Sequence, residues 1–400
     1  TMTYGQSVGL AHGGPLHGNW EALGWGMLGL AIKGGIWIGF GGTLLGMGLS
    51  NVRYRAGEMT LLLLSLVALY FLGSYFLNSP FDPASKSLPA IYFSDDWHWE
   101  PDGELKPRPE CWGGLLTALV ALAAYAGWRR RDRLARNAAC WGIIGGAVGF
   151  PTGQALQAYN AWNRDSLAGT WIDGLHLNWW NVMETTFGAI MGAALGLGFW
   201  LNRSLIAPAW ENEGEAESFP RSLEIGLLVI HLPMLLAVEF LAVPAVDALY
   251  DLGLIMVVIP LVAVAGGRWW PYLQVLPLFL LPIAGKTVRQ AVSDATSAEV
   301  AFAWLVYGAL PVVLAIALAI WSGKGARMRQ DGRPSARVWL LFSVWVYFCL
   351  NYAFFQYPWP WQPWTGRTFN GIIFTLCAFG LTLMATSVTI RDPHSGDRSA

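Results

Sequence analysis

The stretch "LLLLSLVALYFL" (61–72) is continuously apolar apart from one serine, and "LPVVLAIALAIW" (310–321) repeats the pattern near the other end of the chain. Strands of a membrane β-barrel alternate apolar and polar side chains over about ten residues. These two runs show no such alternation. Uncharged runs of this kind are typical of helices that cross a bilayer. They predict an all-α fold.

The overall composition agrees with this interpretation. Of the 400 residues, 54% are hydrophobic and only 13% are charged, and the mean hydropathy is +0.42. A soluble domain carries about 25% charged residues. We therefore predict a polytopic helical membrane protein whose first partner is the lipid bilayer. The formal net charge of −1 indicates no particular partner, and we expect no nucleic-acid partner.

Long apolar segments recur along the whole chain. We predict about eleven transmembrane spans, at residues 21–49, 58–78, 111–128, 137–160, 179–201, 223–243, 246–265, 270–286, 299–321, 337–356 and 368–390. Prolines interrupt the sixth, seventh and eighth of them, so kinked or broken helices are expected there.

We expect a single integral-membrane domain over residues 1–400. The segments "GGTLLGMGL" (41–49) and "MGAALGLGF" (191–199) share a GxxxGxG pattern followed by an arginine. This similarity suggests a weak parallel repeat of 20–160 and 170–290, followed by a three-helix tail at 299–390. Glycines recur three or four residues apart over 34–48, 142–149 and 188–198, and close packing of helices along these faces explains them without a repeat. Because the first residue is Thr1, the sequence leaves open whether other residues precede it.

Basic residues predict the orientation. With the first span running inward, the inner segments carry seventeen Lys and Arg and the outer segments seven. Positive residues favour the cytoplasmic side, so we predict an outer N-terminus and a cytoplasmic C-terminus, in a bacterial inner membrane. The outer loops 78–111, 160–180 and 357–367 are then rich in tryptophan. We expect them to be structured and to cap an outward-open polar cavity.

Lys33 lies inside the apolar segment "GLAIKGGIWIGFGG" (29–42). A charge at membrane depth is costly, so Lys33 requires a carboxylate, a set of carbonyls or a bound anion. Glu184 and Glu239 are the carboxylates that we expect to meet it if the partner belongs to the protein.

Other polar residues complete the candidate site. We expect acid–base or ion-binding roles for some of them, and binding of an anion, a headgroup or a sugar ring by others. The acid–base candidates are Glu184, His231, Asp95 and Asp96, and the binding candidates are Lys33, Gln154, Gln157, Lys286, Arg289, Arg367, Trp97 and Trp180. No spacing specific for a metal or a nucleotide is present, so we expect no metal site, and the sequence names no cofactor.

Three functions remain open at this point. The tryptophan-rich outer loops favour an enzyme of the outer leaflet that acts on a lipid-linked sugar or a phospholipid. Buried Lys33, His231 and Glu239 favour a secondary transporter. The lack of a recognisable motif for either activity leaves a non-catalytic subunit of a larger membrane complex.

Overall fold

A computed structural model describes residues 14, 16–93, 107–206, 233–234, 237–241, 243–251, 283–292, 296–314, 317, 333–357, 360 and 363–387. Over these ranges the chain is mainly helical, and its only β-structure is two isolated bridges. The prediction of an all-α fold is confirmed. The chain divides into two compact units: unit 1 holds residues 1–217 with 264–267, and unit 2 holds 218–263 with 268–400.

Unit 1 contains five long helices in the described ranges. They are α1 (Trp20–Leu49), α2 (Ala56–Leu77), α3 (Trp112–Ala124), α4 (Arg133–Trp162) and α5 (Trp179–Leu201), with a π-helical turn at Tyr125–Arg129 that extends α3. Side chains that accept hydrogen bonds from the first turn fix three of the starts, as expected for N-caps. These caps are Asn19 before α1, Asp132 before α4 and Asn178 before α5.

Helix α4 is the centre of unit 1, because α1 packs along one side of it and α5 along another. The contact with α1 is backbone against backbone. A Cβ atom added at Gly34 would meet the carbonyl oxygen of Gly146, and one added at Gly42 would meet that of Ala138. The predicted role of the glycines in close packing is confirmed for this pair of helices.

The predicted glycine face of the fifth span is only partly correct. Gly198 of α5 packs against Trp141 of α4, but Gly188, Gly192 and Gly196 have no atom within 4 Å of an added Cβ among the described residues. The reason is that α5 meets α4 through its large residues. Gly149 and Gly153 of α4 accommodate Phe187 and Met183 of α5.

The two ends of unit 1 differ in chemistry. We call one of them the arginine end: the C-termini of α1 and α5 and the N-terminus of α4 meet there, and an isolated bridge joins Ser50 to Ile206. At the opposite end, which we call the loop end, lie the segment between α2 and α3 and the one between α4 and α5.

Unit 2 is described in part. Its helices are α6 (Pro244–Asp251), α7 (283–292), α8 (Ser297–Leu314, with a π-helical turn at Trp304–Ala309), α9 (Arg333–Phe354) and α10 (Thr368–Ser387). Helix α7 packs on α9 through Ile283, Ala284 and Leu350. The predicted eighth span was placed at 270–286, whereas this helix continues to 292.

Five helices of the described ranges are long and apolar enough to cross a membrane. They are Trp20–Leu49, Gly57–Leu77, Trp179–Leu201, Ser297–Leu314 and Thr368–Ser387. Predicted spans 111–128 and 137–160 are helical but are not among these five. The α-helical part of α3 is only 13 residues long, and α4 carries arginines and amides along an otherwise apolar helix.

Candidate functional site

The partner of Lys33 is a carboxylate supplied by the loop before α3. The Nζ atom of Lys33 lies 2.7 Å from Oε1 of Glu110, and their side chains are 13% and 0% exposed. The other carboxylate oxygen of Glu110 accepts a hydrogen bond of 3.0 Å from the backbone N–H of Phe93. The expectation that Glu184 or Glu239 is this carboxylate was wrong.

Further hydrogen bonds and packing contacts hold the same loop against α1. The indole N–H of Trp25 donates to the carbonyl oxygen of Tyr92 (2.7 Å), and the hydroxyl of Tyr92 donates to the carbonyl of Arg108 and accepts from its N–H (3.0 and 2.9 Å). Phe93 lies over Gly29, where an added Cβ would come within 2.5 Å of it. We call Tyr92, Phe93, Arg108 and Glu110 the loop base.

Two predicted site residues lie on one face of α4 towards the loop end. Gln154 is 5% exposed, and its side-chain N–H₂ has no hydrogen-bond partner among the described residues. The side-chain oxygen of Gln157 is also buried and without a partner there. Residues three apart face the same side of a helix. Gln154 therefore offers a hydrogen-bond donor, and Gln157 offers an acceptor on the same face of α4.

Two more predicted residues lie on the adjacent helix. The indole N–H of Trp180 donates to Oε1 of Glu184 at 3.0 Å, one turn along α5. Trp180 is packed against the cluster around Phe150 and Met183, and Glu184 is exposed. Since Gly153 contacts Met183, one further turn of this antiparallel pair brings Gln157 opposite the start of α5.

One residue at this end was not predicted as a site residue. The buried indole N–H of Trp162, at the end of α4, has no hydrogen-bond partner in the described part of the chain, and the ring packs edge-on against Trp20 at 4.9 Å. A buried polar atom without a partner is uncommon in a native structure and calls for an explanation.

The predicted cations of unit 2 have different surroundings. Arg289 Nη2 lies 2.7 Å from Oε1 of Glu239, and its Nη1 donates to the main-chain oxygen of Glu239 at 3.0 Å. Arg367 stacks over Phe355 at 5.4 Å, and Lys286 is exposed. The guanidinium of Arg289 thus already holds a carboxylate of its own unit.

The remaining predicted site residues lie outside the described residues: Asp95, Asp96, Trp97 and His231. In the described ranges, no group of three or more His, Cys, Asp or Glu side chains could hold a metal ion. Comparison of the chain with protein-family models, with curated proteins and with solved structures finds no match.

Proposed function

We propose that this protein is a membrane enzyme of the outer leaflet that binds the headgroup of a lipid-linked sugar or a phospholipid at the loop end of unit 1. In this proposal the N-terminus is outside, the C-terminus is cytoplasmic, and the membrane is a bacterial inner membrane. The bias of basic residues and their concentration at the arginine end support this orientation.

One observation carries the proposal: Gln154 and Gln157, three residues apart on one face of α4, have a donor and an acceptor without partners among the described residues. Leaving such a buried group unsatisfied costs about 1–3 kcal/mol. A hydroxyl group both donates and accepts hydrogen bonds. A headgroup that carries neighbouring hydroxyls, as sugars and glycerol do, would satisfy both amides at once.

Neighbouring groups support the same chemistry. Aromatic rings such as Trp180 provide an apolar body with a polar edge, which suits the faces of sugar rings. Glu184, exposed and hydrogen-bonded to that indole, supplies a carboxylate that can accept the proton of a headgroup hydroxyl. In this proposal Glu184 is the general base, and the two glutamines orient the hydroxyl.

The transporter hypothesis receives less support. Two of its three residues, Lys33 and Glu239, are engaged in ion pairs within their own units. Such pairs satisfy the need for a counter-charge without a transported ion. The third residue, His231, lies outside the described residues.

Substitution of Gln154 by Leu tests the proposal, because its two readouts move in opposite directions. We expect the variant to bind monoglucosyl diacylglycerol or phosphatidylglycerol at least tenfold more weakly, since a hydrogen bond to the headgroup is lost. Its apparent melting temperature should rise by about 2–4 °C in the absence of such lipids, since about 1 kcal/mol of unsatisfied burial is removed. Binding is measured in nanodiscs of phosphatidylcholine, which has no headgroup hydroxyl.

Thr152→Val is the matched control, because Thr152 is an exposed polar residue of the same helix. It should change neither readout. If Gln154→Leu lowers the melting temperature and leaves lipid binding intact, the glutamines bond to one another and the site is structural. Turnover of either lipid in detergent would support an enzyme rather than a transporter, because detergent micelles sustain no gradient. We expect this turnover to be lost in Glu184→Gln.

A further inference from the structure

The arginine end of unit 1 carries a large excess of positive charge. Segments 50–58, 125–137 and 200–206 contain eight arginines and only two carboxylates, Glu58 and Asp132. Asp132 is buried and accepts hydrogen bonds from the hydroxyls of Ser50 (2.6 Å) and Tyr54 (2.7 Å). Glu58 accepts from Tyr125 and lies 3.5 Å from Nε of Arg130. Both carboxylates are therefore already engaged by the protein.

A hydrogen bond links the ends of α4 and α5, each of which carries one of these arginines. The side-chain N–H₂ of Asn137 in α4 donates to the side-chain oxygen of Asn202, the residue that ends α5, at 2.7 Å. Arg136 and Arg203 are their immediate neighbours in the chain. Both are exposed, and neither has a carboxylate partner in the described ranges.

Each of these guanidinium groups is held in place through one of its N–H donors. Nε of Arg136 donates to the side chain of Asn137 at 3.3 Å, and Nη1 of Arg203 donates to the carbonyl of Trp200 at 3.0 Å. Arg203 also stacks over the ring of Trp200 at 5.1 Å. Among the described residues the other N–H groups have no hydrogen-bond acceptor, and their fork geometry matches the oxygens of a phosphate.

The surroundings indicate that the phosphate belongs to a lipid. Trp200 is 60% exposed, and Leu197 and Leu201 beside it on α5 are exposed as well. Helix α5 is one of the five helices able to cross a membrane. Tryptophan is enriched where a helix meets the lipid headgroups. A lipid phosphate bound at Arg203 could place its acyl chains along these exposed apolar side chains of α5.

We propose that Arg136 and Arg203 form a binding site for the phosphate of an anionic phospholipid in the leaflet that the arginine end faces, with Trp200 against the glycerol and the first acyl carbons. The site is separate from the loop end and does not depend on the proposed function. Basic pockets between transmembrane helices bind such headgroups in other membrane proteins.

The full-length protein in phosphatidylcholine nanodiscs with increasing phosphatidic acid tests this site by lipid retention in native mass spectrometry. The double variant Arg136→Gln/Arg203→Gln should lose about 25-fold in preference for phosphatidic acid, or about fivefold for each arginine near a charged surface. Arg136→Lys/Arg203→Lys should recover only part of it, because lysine cannot bind in a bidentate manner.

Arg129→Gln/Arg131→Gln is the matched control, since it removes two exposed arginines from the same end. In 0.5 M salt, where long-range attraction is screened, the control should equal the wild type within about twofold and the site variant should remain about tenfold weaker. Equal losses in both variants would show diffuse attraction and overturn the site. Tighter lipid binding after the acids of 211–217 are replaced by neutral residues would also overturn the site. Such a result would mean that the chain's own carboxylates occupy Arg136 and Arg203 in the unaltered protein.

Discussion

Removing the charge of Lys33 should destabilise unit 1 strongly. In Lys33→Met the carboxylate of Glu110, whose side chain is 0% exposed, loses its counter-charge, while the hydrogen bond from the N–H of Phe93 remains. Breaking a buried ion pair by removing one partner costs about 3–5 kcal/mol. For a unit of this size the apparent melting temperature should fall by at least about 6 °C. Thermal unfolding followed by size-exclusion chromatography measures the change.

The reverse substitution should cost less. Glu110→Gln keeps an amide oxygen that can still accept a hydrogen bond from the ammonium of Lys33, whose side chain is 13% exposed. We expect a loss of about 1–3 kcal/mol. The double variant Lys33→Met/Glu110→Gln should be more stable than the two single losses imply, with a coupling energy of about 1–3 kcal/mol.

Cys111 provides a local readout of the same pair, because it follows Glu110 directly and is half-buried. With the other three cysteines replaced by alanine, maleimide labelling of Cys111 should accelerate in both single variants as the loop base detaches from α1. Ala90→Ser, a substitution at an exposed position of the same loop, should change stability by less than about 0.5 kcal/mol. Additive single losses, or an unchanged melting temperature in Lys33→Met, would refute a stabilising role of this ion pair.

Two further predictions concern packing and pH. Gly34→Ala should lower stability by about 1–3 kcal/mol, because the added Cβ would overlap the carbonyl of Gly146. Gly41→Ala, where the added Cβ points into open space, should be neutral or raise the melting temperature. Equal effects of the two substitutions would contradict the close contact between α1 and α4. Burial, and then the hydrogen bond to Asp132, raise the pKa of Tyr54 well above its usual value. The stabilisation that Tyr54 provides is present below the unfolded pKa of about 10 and is lost as the pH rises beyond that value. Tyr54→Phe should therefore flatten the decline in melting temperature between about pH 10 and 11.5. An identical decline in the variant and the wild type would exclude Tyr54 as the cause of the decline.

The helices of unit 1 could be predicted from the sequence because their signal is local. The span predicted at 179–201 coincides with α5, and the span at 21–49 begins one residue after α1. Glycines recurring three or four apart also indicated the close contact between α1 and α4, because that spacing forms a stripe on one helix face. The same spacing was misleading for Gly188, Gly192 and Gly196, since a stripe does not say which face the neighbouring helix covers.

The partner of Lys33 could not be predicted from periodicity. Glu110 follows it by 77 residues and lies at the end of a proline-rich segment that has no helical pattern. A search among residues of the predicted helices leads to Glu184 or Glu239 because it assumes that a membrane-level charge is met by another helix. The loop base shows that a connecting segment can supply that charge instead.

The separation between Lys33 and Glu110 along the chain also has a consequence for biogenesis. Ribosomes add about 5–20 residues per second, so Glu110 is synthesised roughly 4–15 s after Lys33. During this interval α1 contains a lysine without its native counter-charge, in a segment that must leave the aqueous channel of the insertion machinery. We therefore expect α1 to enter the lipid late, together with the α2–α3 hairpin that brings its carboxylate, so that α1 is made before this hairpin but is not integrated before it.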